Sequence, residues 1–243
     1  MAFTLAEVLI TLVVIGIISA ITIMIIQNNA KNAVLVSQTK HTWSDINNVF
    51  KLVQLDYGTP GDNSEIFSED KDNAQINREF SKYFNGAIYC GNYQTSPQCE
   101  GLKDYKAKYS RPVYSDGTNA STVDLRNRAS VILPSGAIIS IVSKRKSCNE
   151  YAARGQSLNS DGKPKKDSDG NDVYWNSTRK NCGTIMFDVN GMKKPNRFGV
   201  DVFDVNVFRN NLGASYWQNA TGNYTLFKIL SGNEYPFEYK DYN

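Results

Sequence analysis

Three groups of residues in this chain have types and spacings suited to chemistry. The first is Glu7, the one charge in the apolar run "FTLAEVLITLVVIGIISAITIMII" (3–26). A carboxylate in a membrane helix costs roughly 2.5–3.5 kcal/mol at the centre and less near an end, so such a group asks for a cation. The run supplies none. A free α-amino group at Phe3, on this or a neighbouring chain, would supply one, and that requires cleavage between Ala2 and Phe3. The second group is the four cysteines, Cys90, Cys99, Cys148 and Cys182. None forms Cys-x-x-Cys and the one histidine is His41, which argues against a zinc site of the usual spacing. An even number of widely spaced cysteines reads as disulfides outside the cytoplasm. Of the three possible pairings, the sequence neighbours Cys90–Cys99 and Cys148–Cys182 are expected; unpaired buried thiols are the alternative. The third group lies in "DVNGMKKPNRFGVDVFDV" (188–205), where Asp188, Asn190, Asp201 and Asp204 offer oxygens. Calcium takes six to eight such ligands, but the EF-hand spacing and its terminal Glu are absent. Asn190-Gly191 and Pro195 also suit a strand-to-turn corner. The turn is the expected role and calcium the alternative.

Other chemistry finds less support. Asp167, Asp169 and Asp172 follow Lys163, Lys165 and Lys166 in a polar stretch and read as a solvated loop. The basic run "SKRKSC" (143–148) lacks the aromatic neighbours and the stripe of charge that nucleic acid would need. A net charge of +3 adds no reason to expect a nucleic-acid partner. Gly-x-Ser-x-Gly, the P-loop and Gly-x-Gly-x-x-Gly are absent, and a Ser-His-Asp triad would need His41, which lies in a helical stretch. The chain is not expected to be an enzyme, and no cofactor beyond the calcium alternative is implied.

The elements that position these residues start with residues 3–26. As a helix they span about 36 Å, enough for a bilayer core of about 30 Å. They are apolar on every face, unlike a buried core helix with one stripe. No small-residue cleavage site follows Ile26, so the segment is expected to be retained. The helix continues: Trp43, Ile46, Phe50, Val53 and Tyr57 recur at three and four spacing, and Gly58, Pro60 and Gly61 stop it. One helix is expected to run from residue 3 to residue 57. Beyond it, 76–86 reads as a short helix and 89–101 as a loop closed by Cys90 and Cys99. Residues 102–128 show no regular pattern. Residues 129–142 read as a β-hairpin around Pro134-Ser135-Gly136, and 183–191, 202–208 and 224–230 as further strands. Residues 157–177 read as an exposed polar loop between the last two cysteines. The fold class is therefore α+β, one long helix packed on a small antiparallel sheet.

The stretch "FTLAEVLITLVVIGIISAI" (3–21) closely resembles the cleavage and methylation segment of type IV pilins and type II secretion pseudopilins. The resemblance implies cutting before Phe3 by a prepilin peptidase and N-methylation of Phe3. It also implies that Glu7 meets the amine of an adjacent subunit as helices assemble into a filament. Two features depart from the pattern. Ala2 stands where the family usually has Gly, and the leader "MA" lacks basic residues, so a start further upstream is expected. The corner at 188–205 resembles, in type, the C-terminal loop region of some pseudopilins, where calcium can be held.

The implied organisation is a leader at 1–2, a transmembrane assembly segment at 3–26, an amphipathic continuation at 27–57, and a loop-rich extracytoplasmic β head at 58–243. The implied location is the bacterial inner membrane, single-pass, with a periplasmic or extracellular filament after assembly. The implied partners are the peptidase and other pilin or pseudopilin subunits. Two rivals are a filament-tip adhesion or ligand-binding subunit and a membrane-anchored enzyme with its site in the head.

Overall fold

The computed structural model describes residues 4–91, 96–108, 122–125, 128–143, 146–157, 159, 163–215 and 223–232. Leu5–Asp56 form one helix of 52 residues, α1. Its start is set by a capping box: Glu7 N–H donates to Thr4 Oγ1, and Thr4 N–H donates back to the Glu7 carboxylate. Its end is set at Tyr57 and Gly58, where Gly58 takes a φ of 67° that a side chain would resist. Residues 4–27 are exposed throughout. Burial starts at Asn32 and deepens from Thr39 to Gln54.

Among the described residues the head contains α2 (Asn73–Ser81), α3 (Asn223–Leu230) and ten strands. These are β1 (Ile88–Cys90), β2 (Lys106–Lys108), β3 (Thr122–Asp124), β4 (Ser130–Ile132), β5 (Ile138–Ser143), β6 (Tyr151–Gln156), β7 (Tyr174–Arg179), β8 (Asn181–Asp188), β9 (Val202–Phe208) and β10 (Leu212–Ala214). Six of them make an antiparallel sheet in the order β1-β4-β5-β8-β9-β10. The pairs β2–β3 and β6–β7 stand as separate two-stranded sheets.

Alternation along the central strands sorts side chains to two faces. Ile139, Ile141, Ile185, Phe187, Phe203, Val205 and Val207 point to the helix side. There they meet Ile46, Val49, Phe50 and Val53 of α1 and Phe80 of α2. Trp43 lies between Phe187 and Phe227, with ring centroids 6.3 and 6.2 Å away. On the opposite face Ile138, Met186 and Val202 pack with Leu102, Tyr105, Ala107, Val123 and the Cys90–Cys99 bridge. The head is thus helix, sheet and a second small layer. Where β4 stops short of Ile141, α2 covers the sheet edge: Asn77 accepts from Ile141 N at 2.9 Å and donates to Ile141 O at 2.7 Å.

The α+β expectation, the long helix and the hairpin at 129–142 agree with this arrangement. Two expectations are corrected. Residues 224–230 are not a strand but lie in α3. A strand would align Leu226, Lys228 and Leu230 on one face, whereas the helical period buries Leu226 and Ile229 and leaves Phe227 exposed. Residues 157–177 are not all loop, because 174–177 belong to β7 and pair with β6. The stretch 102–128 contributes β2 and β3, too short to show a period. The short helix expected at 76–86 starts earlier, at Asn73, where Asp72 caps it.

Candidate functional site

The N-terminal half of α1 is the first candidate site. Ala2 and Phe3, the expected processing and methylation residues, lie outside the described residues. Glu7 sits in the first turn, and its Oε2 accepts from Thr4 N at 2.9 Å and from Thr4 Oγ1 at 2.8 Å. Within one chain, then, Thr4 partners Glu7, and the carboxylate also lies at the positive end of the helix dipole. Thr4 was missed as a functional residue. The Thr-x-x-Glu spacing before an apolar run is its signal. Further along, the Thr11 and Thr22 hydroxyls donate to carbonyls one turn earlier, at Glu7 (3.0 Å) and Ile18 (2.8 Å). Each hydroxyl is thereby satisfied without water, as a lipid or helix-packed setting requires. The helix is long and apolar enough to cross a membrane: its most apolar window has a mean hydropathy of 3.0, and none of that window is buried in the chain.

The second candidate is the corner joining β8 to β9. Asp188 ends β8 on the face opposite α1 and is fully buried, as is Asp201 just before β9. Asp188 Oδ1 accepts from Asn190 N at 3.1 Å and Gly191 N at 2.8 Å, and Oδ2 accepts from the Tyr105 hydroxyl at 2.6 Å. Asp201 accepts from Asn196 N at 2.9 Å and Arg197 N at 2.7 Å. Gly191 is required at the turn: φ is 72°, and a Cβ would lie 2.1 Å from Gly136 O. Desolvation by burial, with Asp201 adding to it, pushes the Asp188 carboxyl up to about 8. Desolvation also raises Asp201 to about 6, against the hydrogen bonds that favour its ionised form.

Of the four oxygen donors singled out in the sequence, Asp188, Asn190 and Asp201 come together. Asp204 lies within β9, and Ser215 donates to its Oδ2 at 3.4 Å. Every carboxylate oxygen of Asp188 and Asp201 already accepts a hydrogen bond. Two buried amide oxygens, Asn190 Oδ1 and Asn196 Oδ1, have no partner among the described residues. A calcium ion would have to use those two together with engaged carboxylates, well short of six to eight free oxygens. Among the described residues no group of three or more His, Cys, Asp or Glu is placed to hold a metal. The donor set fits a hydrogen-bonded turn.

The cysteines pair as the sequence neighbours, Cys90 with Cys99 and Cys148 with Cys182. His41 lies on α1, exposed, with its Nδ1 2.9 Å from Asp45. Asp167 caps its own turn, accepting from Asp169 N and Asn171 N, which matches a solvated loop. A scan against family models, a search of curated proteins and a search of solved structures each found no match to this chain.

Proposed function

We propose that the protein is a structural subunit of a type IV pilin-like filament, a pseudopilin or minor pilin, held in the bacterial inner membrane until it assembles. One observation carries the reading. The first half of α1 is apolar on every face, is exposed throughout among the described residues, and carries a single carboxylate near its N-terminus. An exposed apolar surface of that extent needs lipid or other helices around it. A filament supplies helices, and the resemblance of residues 3–21 to the prepilin segment supplies the route. A prepilin peptidase cuts before Phe3, the new amine is methylated, and the helix moves from lipid into a bundle of like helices.

Glu7 then has two alternative partners. In the single chain it accepts from Thr4. In a filament the Phe3 amine of a neighbour offers a full charge, and a subunit out of register would leave Glu7 with Thr4 alone. The head faces the periplasm or the exterior, where disulfides persist.

The test is the N-terminal peptide and intact mass of the protein from membranes of its native host. A chain starting at N-methyl-Phe3 is the expected result. A chain that keeps Met1 or an upstream leader would reduce the segment to an anchor and defeat the reading. Alongside it, Glu7→Ala is expected to leave membrane retention intact and to abolish crosslinked multimers.

A further inference from the structure

The strands β6 and β7 form an arm that stands apart from the six-stranded sheet. Among the described residues, neither hydrophobic core includes any between Cys148 and Cys182; the two cysteines themselves, bonded to each other at the base of the arm, belong to one. A two-stranded hairpin with no core face is marginal in water on its own. Three features hold this one in shape. The disulfide fixes its base. Trp175 lies flat across Gly155, where a Cβ would fall 2.4 Å from the indole, and the Arg179 guanidinium sits 5.0 Å from that ring. On the other face the Arg154 guanidinium stacks 4.3 Å over the Tyr174 ring.

That other face carries side chains held in place but unused. Arg154 stands directly opposite Asn176, and Ala152 opposite Thr178. The small Ala152 leaves a concavity of about 480 Å³ lined by Arg154, Asn176, Ser177 and Thr178. No carboxylate pairs with Arg154 among the described residues, so its charge is uncompensated and its edge N–H groups face solvent. A guanidinium, an amide and a hydroxyl, from Arg154, Asn176 and Thr178, are arrayed over two residue pairs and match a sugar ring bearing a carboxylate. The guanidinium meets the carboxylate, and the amide and the Thr178 hydroxyl meet ring hydroxyls. The lining carries no apolar side chain larger than that of Ala152, which favours a glycan over an acidic peptide. Because the disulfide and the stacking order these groups in advance, little conformational entropy is lost when a ligand arrives.

We infer that the β6–β7 arm is a binding site for acidic glycans, with Arg154 holding the sugar carboxylate and Asn176 and Thr178 holding its hydroxyls. The inference goes beyond the filament reading and requires only a folded head.

The test uses the full chain in detergent micelles, titrated calorimetrically with an oligogalacturonate, its neutral methyl ester and oligoglutamate. Saturable binding of the oligogalacturonate is expected, with no heat from the methyl ester and little from oligoglutamate. Arg154→Gln is expected to weaken binding about tenfold or more. Lys193→Gln with Lys194→Gln, which removes more charge from an exposed loop elsewhere, is expected to leave binding unchanged. Circular dichroism of each variant confirms folding. Equal binding by Arg154→Gln and the parent, equal heats for oligoglutamate, or no binding by the parent would each overturn the inference. None of these results bears on N-terminal processing, so the filament reading stands or falls separately.

Discussion

The two halves of α1 share one unbroken backbone and bury opposite amounts of surface. Leu9 and Ile15 are each 59% exposed, while Ile46 is 1% exposed and Val53 fully buried. The first half has an apolar surface all round, and none of it is covered by the described residues of the head. The second half has a single apolar face and a sheet that fits it. The contrast separates two sources of order. The head is complete within one chain: its strands are paired, its cysteines joined, its sheet edge at Ile141 capped by Asn77. The apolar half is complete only as a helix, satisfied through its own backbone, Thr4 and the threonine hydroxyls, and it takes its stability from whatever surrounds it.

The same kind of truncation applied to both regions breaks the comparison most sharply. Phe187 is fully buried between Trp43 and Phe203. Phe187→Ala is expected to destabilise the head by about 3–5 kcal/mol. Ile15→Ala removes a similar kind of apolar contact surface from an exposed position and is expected to shift head unfolding by less than about 0.5 kcal/mol. Thermal unfolding followed by near-ultraviolet circular dichroism, in micelles, checks both. A comparable loss from Ile15→Ala would mean that the apolar half packs on the head.

The disulfides come next in size. Cys148–Cys182 spans a sequence separation of 34 and Cys90–Cys99 one of 9. Loop-closure entropy alone assigns about 4 kcal/mol to the longer loop and about 3 kcal/mol to the shorter. Replacing each pair by alanine and comparing denaturant midpoints tests the order. The arm adds a local effect: without Cys148–Cys182 it loses its anchor to the core, so protease cleavage between Tyr151 and Arg179 is expected to accelerate more than cleavage elsewhere.

How much of this was legible in the sequence depends on where each signal resides. Local signals read well. The 3–4 spacing of Trp43, Ile46, Phe50 and Val53 showed the buried face of α1, and Thr-x-x-Glu was present to mark its start. Neighbouring cysteines paired as neighbours. Signals that require a partner far along the chain did not read. Tyr105 meets Asp188 across 83 residues, and no spacing rule joins them. The arm was hidden for a different reason: both of its faces are polar, so β6 and β7 lack the alternation that marks a half-buried strand. In α3, Leu226, Lys228 and Leu230 mimic strand alternation over a stretch too short to separate the two periods. At the corner the residue types were recognised but not their number of free oxygens, since that depends on which backbone N–H groups fold back on them.

Titration sharpens the account of that corner. Asp188 and Asp201 titrate at about 8 and about 6 in the fold, against an ordinary 3.8, because burial disfavours the charged form. A carboxyl whose folded value is raised binds its proton more tightly folded than unfolded. Between about pH 4 and 8 the folded chain therefore holds more protons, and stability falls as pH rises. The contribution is fully present below 3.8, is lost for Asp201 by about 6 and for Asp188 by about 8. The head should thus show a melting temperature that declines from pH 5 to pH 8. Asp188→Asn keeps an oxygen for Asn190 N and Gly191 N, and its amide donates to the Tyr105 hydroxyl, whose oxygen accepts. It should remove the decline above about pH 6, where Asp188 alone contributes, and roughly halve it below, where Asp201 still does. Calcium and a chelator should give superimposable curves, since the carboxylate oxygens are engaged by N–H and O–H donors. A melting temperature that rises with pH, or that climbs with calcium at pH 8, would show that the pair is ionised around a cation and that the turn is held by metal rather than by hydrogen bonds.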